Sequence, residues 1–495
     1  MFFKTIVCAA MLLFPAFSQT DMARITGNVT DSTGAVVPGA AVVIQNVRTG
    51  VTRKITADSR GRYAALNLKP AEYTLTVSAE DLGEVRIPDI TLSVGQEQIV
   101  NVVLRPAVIH ETLTVSSKDM VVIDVSSARI GASVSDREVA QLPLNGREIS
   151  QLYLLAPGAV NNGSGTYDNI RFSGRSNQQN IIRYDGVEGT SIIDASPGNL
   201  NGEVTSSFRL QSSLENVQEF RVDSSNFPAE YGTGTGGQIS VITKSGSNDF
   251  HGSLFEYMRN DAFDARNFFD RANKSSLRMN QFGGSFGGRL IRNKLFFFTS
   301  YEGLRQRAGV NFRDTVPSDA ARARAVPSIR PLLAAYPRGA EPTSNPDFDL
   351  ATLNSSSIVT ENAGDMRLDY KPNDKYFFYL RYFRDQGESF QPLGVTGNGL
   401  RITAVPQNLI LNSQQILSPT LINEAKVGLN AYKTRANGVV TPIPGLDLAA
   451  ISVNIAGQVA IPGIAGQTGS AGVATPGGLI RANSATNGRG QPYTA

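Results

Sequence analysis

From Met366 to Lys371 the chain alternates without a break. Met366, Leu368 and Tyr370 are apolar or aromatic, and Arg367, Asp369 and Lys371 between them are charged. A period of two puts the two sets on opposite faces of an extended strand, and no helix can separate them that way. The pattern recurs. Phe282, Phe286 and Leu290 oppose Gln281, Ser285 and Arg289, and Ala425, Val427 and Leu429 oppose Glu424, Lys426 and Asn430. Lys294 to Glu302, with three consecutive phenylalanines at Phe296–Phe298, starts apolar on both faces and fits less cleanly. Two architectures accept such strands: a soluble β-sandwich, and a sheet with one face toward lipid.

The N-terminus bears on that choice. Lys4 precedes an apolar run, Thr5 to Phe17, which is too short to span a bilayer, and Ala16-Phe17-Ser18 offers small residues where a signal peptidase reads. Residues 1–18 are therefore expected to be a secretory signal. The single cysteine, Cys8, lies within it, so the mature chain is expected to lack thiols, disulfides and cysteine-based metal sites. No later apolar stretch is long enough for a spanning helix, so an exported chain that crosses a membrane would do so with strands. At 495 residues several domains are expected, and a net charge of +3 from nearly balanced signs gives no nucleic-acid footprint. Abundant glycine and absent tryptophan, with few long helical periods, favour a mainly β fold.

Ala23 to Pro106 carries short strands at close spacing. Ile25–Thr30, Ala41–Val47, Val51–Ala57, the alternation at Tyr73, Leu75 and Val77, and Ile99–Leu104 are separated by Asp31-Ser-Thr-Gly34 and Asp58-Ser-Arg-Gly61 turns. About seven strands over this length predict a β-sandwich. Gly27-Asn-Val-Thr-Asp31, Val37-Pro-Gly-Ala40, Asp58-Ser-Arg-Gly61-Arg-Tyr63 and Leu68 through Val77 resemble the carboxypeptidase-regulatory-like, prealbumin-type domain. The resemblance implies a scaffold or periplasmic extension of a carbohydrate-binding-like fold and no catalytic zinc. The two histidines, His110 and His251, have no ligand-spaced neighbours.

Residues 107–117 form a linker. Within it Glu111, Thr112, Leu113, Thr114 and Val115 read as a short extended segment, outside both flanking domains, able to add to a partner's sheet edge. The next domain, 121–244, mixes strands with helices. A strand is expected at Val121–Val125, a capped helix from Ser135 and a short helix at Glu148–Leu155. Further strands follow at Ile170 and Ile181–Val187, then at Glu219–Val222 and Gln238–Thr243. Gly232, Gly234 and Gly237 match a dinucleotide fingerprint on paper. A strand follows them rather than a helix, so a glycine-rich turn is expected, with the glycines giving flexibility to the passage onward. Asp185 and Glu188 flank a turn and read as solvated carboxylates.

Leu142-Pro-Leu-Asn-Gly-Arg147, Leu155-Ala-Pro-Gly158, Phe172-Ser-Gly174-Arg175, Tyr184-Asp-Gly-Val187, Val217-Gln-Glu-Phe220, Asn226-Phe-Pro-Ala-Glu-Tyr-Gly232 and Val241-Ile-Thr-Lys-Ser-Gly246 stand in the order of a known domain. They resemble the plug of TonB-dependent outer-membrane transporters, particularly the Oar-like branch. The resemblance implies that Glu111–Val115 is the TonB box. It also implies that residues 247–495 begin a transmembrane β-barrel, with Arg305–Asn362 and Gly387–Gln414 as extracellular loops and Lys371–Asp374 as a periplasmic turn.

Roughly seven or eight strand candidates, and no strand series after Gly438, predict a partial barrel and a chain that is the N-terminal portion of a longer protein. The overall expectation is a mainly β chain: signal peptide, β-sandwich, small α+β plug and an incomplete barrel. Its partners would be the TonB periplasmic domain, outer-membrane lipid and an unidentified extracellular ligand such as a carbohydrate. The N-terminal domains would lie in the periplasm, and the chain would have no cofactor, metal or catalytic residue. The alternative is a structural or adhesive outer-membrane surface protein that uses its sandwich to hold polymers.

Overall fold

The computed structural model describes residues 22–80, 82–105, 113–114, 129–144, 147, 149–161, 170–189, 213–227, 231–232, 234–266, 274–334, 336–392, 394–396, 398–418, 421–439 and 493–494. The expected secretory signal, the strand at Val121–Val125 and nearly all of the segment after Gly438 lie outside the described residues.

The first unit has two facing sheets. Its strands are β1 (Ala23–Asp31), β2 (Ala41–Asn46), β3 (Thr52–Thr56), β4 (Arg62–Leu68), β5 (Ala71–Ala79), β6 (Leu82–Leu92), β7 (Glu97–Ile99), β8 (Val102–Leu104) and β9 (Leu113–Thr114). One sheet orders β4-β1-β7, with β8 also on β1, and the other orders β3-β2-β5-β6-β9. Ile25, Val29, Val42, Leu75, Val77 and Leu104 are completely buried between them. The two Asp-Ser turns owe their shape to side-chain acceptors. Asp31 Oδ1 accepts from the backbone N–H of Thr33 at 2.8 Å and of Ala35 at 2.9 Å. Asp58 Oδ1 does the same for Arg60 and Arg62.

The sequence does not announce strand β6, because Pro88 and a left-handed Asp89 (φ 60°) interrupt its pattern. The expected single strand Ile99–Leu104 is two, β7 and β8, both parallel to β1.

The second unit contains β10 (Ile130–Val134), helix α1 (Asp136–Gln141), helix α2 (Ser150–Tyr153), β11 (Ala159–Asn161), β12 (Ile170–Phe172), β13 (Ile181–Tyr184), β14 (Val187–Glu188), β15 (Val217–Ser225) and β16 (Gln238–Thr243). Helix α1 starts where the sequence places it. Ser135 caps the Glu138 N–H, and the Glu138 carboxylate returns to the Ser135 backbone. Five strands order β10-β15-β16-β13-β14, with β13 and β16 parallel. Every residue of β16 is buried, so this sheet is covered on both faces.

The third unit is an antiparallel meander of β17 (His251–Asn260), β18 (Leu277–Ile291), β19 (Leu295–Pro317), β20 (Glu341–Pro342), β21 (Phe348–Asn373), β22 (Tyr376–Pro392), β23 (Gly399–Ser418), β24 (Leu421–Val439) and β25 (Tyr493–Thr494). Helices α3 (Asp319–Arg324) and α4 (Arg330–Ala334) sit between β19 and β20. Its polarity is inverted relative to a soluble protein. Arg367, Asp369, Lys371 and Arg381 are buried, whereas Met366 (54%), Leu380 (42%), Val427 (67%) and Leu429 (53%) are exposed. Outward aromatic rings gather beside two turns. Phe250 and Phe297 flank Phe286, at 6.0 and 5.5 Å between centroids, and Phe378 lies between Tyr370 and Tyr376 at 6.5 and 6.3 Å. An apolar exterior with aromatic rims is what a lipid-facing sheet requires.

The polar stretches read as loops are largely strand. Strands β19 and β21 remain paired as far as Pro317 and Phe348, and β22 and β23 as far as Pro392 and Gly399. At about 3.3 Å per residue, β21 runs roughly 85 Å, far more than a ~30 Å hydrocarbon layer needs. The excess has polar groups on both faces, which erases the alternation while the backbone ladder continues. Lys294–Glu302, the poorest pattern, lies within β19. Phe296 and Phe298 are buried inward there while Phe297 joins the outer aromatic group.

Candidate functional site

The inward face of the third unit seats the second. Tyr379 and Ile410 of β22 and β23 belong to the same apolar cluster as Phe172, Phe220, Ile239 and Val241. Beside that cluster lies a buried ionic network. The tight β13–β14 turn holds Asp185 in a left-handed conformation (φ 48°) and aims its carboxylate across to β16. There Thr243 donates to it twice, from Oγ1 at 2.6 Å and from the backbone N–H at 3.1 Å. Arg367 of β21 reaches the same carboxylate at 3.1 Å and Thr243 Oγ1 at 2.6 Å. Its guanidinium also grips Asp369 with two hydrogen bonds, at 2.9 and 3.2 Å, and lies 4.4 Å from the Tyr379 ring. Lys426 of β24 donates to the Asp185 carbonyl at 2.7 Å.

Asp185 is 6% exposed, which overturns the reading of a solvated turn carboxylate; Glu188, three residues on, is exposed as expected. Burial alone would raise the Asp185 pKa, but Arg367, Arg381 and the Thr243 hydrogen bonds hold it below the usual range. The sequence signal was present, though non-local: buried charges need partners, and Arg367 stands on the polar face of a strand.

A second anchor joins the same two units. Arg147 donates to Glu215 at 2.8 Å and stands 3.6 Å from Glu302 of β19, with its guanidinium 4.1 Å from the Phe255 ring. Glu302 is fully buried and accepts from Gln281 at 2.5 Å and from the Ser213 hydroxyl.

The first unit reaches this network as well. Lys69, in the β4–β5 turn, donates to Asp369 Oδ1 at 2.7 Å and lies 4.2 Å from the Phe377 ring. Three segments distant in sequence thus converge on Asp369 and Asp185.

Of the candidate docking segment, Glu111, Thr112 and Val115 lie outside the described residues. Leu113 and Thr114 form β9, parallel to Val85 and Arg86 of β6. These two residues are therefore not free of both flanking domains, as the sequence suggested. They complete the open edge of the β6 sheet, where unpaired backbone groups are available to any neighbouring extended chain. The glycine cluster behaves differently from a flexible passage. Gly234 holds φ at +77°, and a Cβ on Gly237 would stand 2.3 Å from the Phe172 ring. The cluster is a close-packed turn into β16, with no helix after it. Among the described residues no group of three or more acidic, histidine or cysteine side chains could hold a metal.

An antiparallel meander with charges inside and apolar side chains outside is the construction of an outer-membrane β-barrel protein. The chain belongs to that family: the profile described as "Outer membrane beta barrel domain" matches residues 242–326 and 321–493, just over half of the sequence. The profile of the "Carboxypeptidase regulatory-like domain" matches residues 24–105.

Among curated proteins, the TonB-dependent transporter Oar of Myxococcus xanthus is 26% identical over 317 residues, which cover 60% of this chain and 28% of that protein. The chain thus spans little more than a quarter of that relative's length. Among solved structures, the siderophore receptor PirA of Acinetobacter baumannii is 16% identical with a TM-score of 0.37, over 62% of this chain and 45% of that one. The outer-membrane transporter YddB of Escherichia coli is 14% identical with a TM-score of 0.43, over 62% and 39%.

Proposed function

We propose that this chain is part of a TonB-dependent outer-membrane transporter or receptor. Its third unit contributes barrel wall, its second is the plug inside that wall, and its sandwich faces the periplasm. One observation carries the reading. A small mixed sheet is seated on the inward face of lipid-facing strands and held there by ionic anchors, Asp185–Arg367 and Arg147–Glu302, rather than by a covalent link. A wall component needs no such separate filling, whereas a gated pore needs a filling that is firmly seated and can still be released. Likeness to the Myxococcus transporter supports the same reading.

In this mechanism a ligand binds from outside, TonB engages the Glu111–Val115 segment, and proton-motive force transmitted through TonB displaces the plug. The chain makes and breaks no covalent bond.

The test uses the periplasmic domain of TonB with a peptide spanning His110 to Ser117, and Leu113→Pro in the full-length protein. Binding by β-augmentation requires a strand-competent backbone, so the peptide is expected to bind and the proline to abolish TonB engagement. Absence of both effects would sink the docking assignment. Gene deletion separates transport from an adhesive role: a transporter loses uptake, whereas an adhesin loses attachment and leaves uptake unimpaired.

A further inference from the structure

We propose that the N-terminal sandwich is a latch on the plug: Lys69 and the loops around it fasten plug and barrel wall together, and the plug leaves only after the sandwich has lifted. The inference rests on the plug assignment above and adds to it a regulatory role for a domain otherwise read as an extension.

The contacts are of the right kind and in the right places. Lys69 Nζ binds the Asp369 carboxylate that Arg367 also holds, and Arg367 in turn holds Asp185 of the plug. One run of ion pairs therefore passes through sandwich, wall and plug. Around it the sandwich offers backbone carbonyls to both neighbours. Pro70 accepts from Gln218 of the plug at 2.7 Å, and Thr49 from Asn248 at 2.7 Å. Thr52 accepts from Lys371 of the wall at 2.9 Å, and Asn67 from Gln414 at 3.3 Å. The sandwich thus bridges the two bodies whose separation the proposed transport step requires.

The same interface is built to open. A cavity of about 140 Å³ remains between sandwich and wall, bordered by Leu68, Tyr73, Phe296 and Phe377. Polar contacts around a void are released at lower cost than a dry apolar core.

The order of segments along the chain tells where a pull arrives first. Leu113 and Thr114, inside the proposed docking segment, are paired to β6 of the sandwich, and the plug's first described strand starts only at Ile130. Tension applied at Leu113 and Thr114 therefore loads the sandwich edge directly. Such pairing also keeps that strand off other partners until it is peeled away.

Hydrogen exchange of the full-length protein in micelles, followed over a urea series, tests this without needing the transported ligand. Two variants bracket the latch. Lys69→Met removes its charge and keeps its length. Gly50→Cys with Asn293→Cys closes it covalently: a Cβ at Gly50 would lie 3.5 Å from Asn293 Cγ, within disulfide reach, and because both positions hold a positive φ (68° and 60°) bond formation is verified by mass before exchange is read. Oxidation is expected to slow exchange in the plug strands β13 and β16 about tenfold or more, and reduction to restore it. Lys69→Met is expected to speed it by a similar factor, the size of a lost charge-assisted hydrogen bond.

Unchanged plug exchange in both variants, with the disulfide verified as formed, would overturn the latch. Exchange of β13 and β16 only together with the wall strands β21 and β22 would instead overturn the plug assignment, and the latch with it. Acceleration confined to the Lys69 turn would identify a passive contact and likewise overturn the latch.

Discussion

Asp185 and Arg367 are 182 positions apart in sequence and meet at 3.1 Å in a site where both are almost completely buried. Neither would be tolerated there alone. Each charge is stabilised by the other and by hydrogen bonds, from Thr243 to Asp185 and from Arg367 to Asp369. Removing one partner leaves the other desolvated, and this asymmetry makes the pair informative to mutate.

Asp185→Ala is expected to loosen the seat of the five-stranded sheet by about 3 kcal/mol, the lower end for breaking a buried pair, because Asp369 still serves Arg367. Urea-dependent hydrogen exchange at Gln238–Thr243 reads it. Asp185→Asn, which can still accept from Thr243, should lose less. Equal losses would show that the hydrogen bonds contribute little and the charge dominates.

Gly237→Ala would push a methyl group into the Phe172 ring, from which an ideal Cβ stands 2.3 Å away. Overpacking of this kind costs about 1–3 kcal/mol. A drop in the thermal midpoint of the second unit checks it, and Phe172→Leu in the same chain should recover part of the loss. A flexible passage would have accepted alanine at no cost.

The contact between sandwich and five-stranded sheet should tighten as pH falls from about 8 towards 4.5. Glu219 accepts a hydrogen bond from the Val94 backbone, yet its Oε1 is enclosed without a partner. Burial pushes its carboxyl up to about 8, and Asp136 adds to the rise. A carboxyl that keeps its proton when docked and releases it near 4.5 when undocked favours docking below 4.5 and progressively loses that advantage up to 8. Protection of the amides around Val94, corrected for intrinsic exchange rates, should follow this curve. Glu219→Gln should hold the contact at its low-pH strength throughout, and a curve unaltered by that change would refute the assignment.

Leu380→Arg places a cation on the outward face of β22, and such substitutions in a lipid-facing strand cost about 2–4 kcal/mol near the bilayer midplane. The yield of folded protein in lipid vesicles, read by heat-modifiable gel mobility, should fall sharply. Arg384→Lys, also outward but on the polar extension of the strand, should be silent.

The strands and their faces were legible because each face of a paired strand sees one environment along its length, so Met366–Lys371 and Ala425–Asn430 state their orientation in their own alternation. The α1 cap was legible for the same reason: Ser135 and Glu138 are three residues apart and need no distant partner. What could not be read was set by distant contacts. Nothing near Asp185 announces Arg367, and nothing near Lys69 announces Asp369. The polar continuations of β19 and β21 look like loops because only the opposite strand's backbone keeps them extended. Leu113 and Thr114 were legible as strand-prone, but their neighbour β6 is itself obscured by Pro88.

The alternation that turns each wall strand inside out has a consequence for how the chain is made. A segment such as β21 has 26 residues, enough to cross a bilayer as a helix, but from Asp365 to Asn373 every second position is charged or polar. A helix built from it would carry arginine, aspartate and lysine around its circumference and would not partition into a bilayer core. An export channel in an inner membrane would therefore pass such a segment rather than release it sideways into lipid. Its apolar face is assembled only when neighbouring strands pair, so the capacity to enter a membrane arises from folding, at the destination.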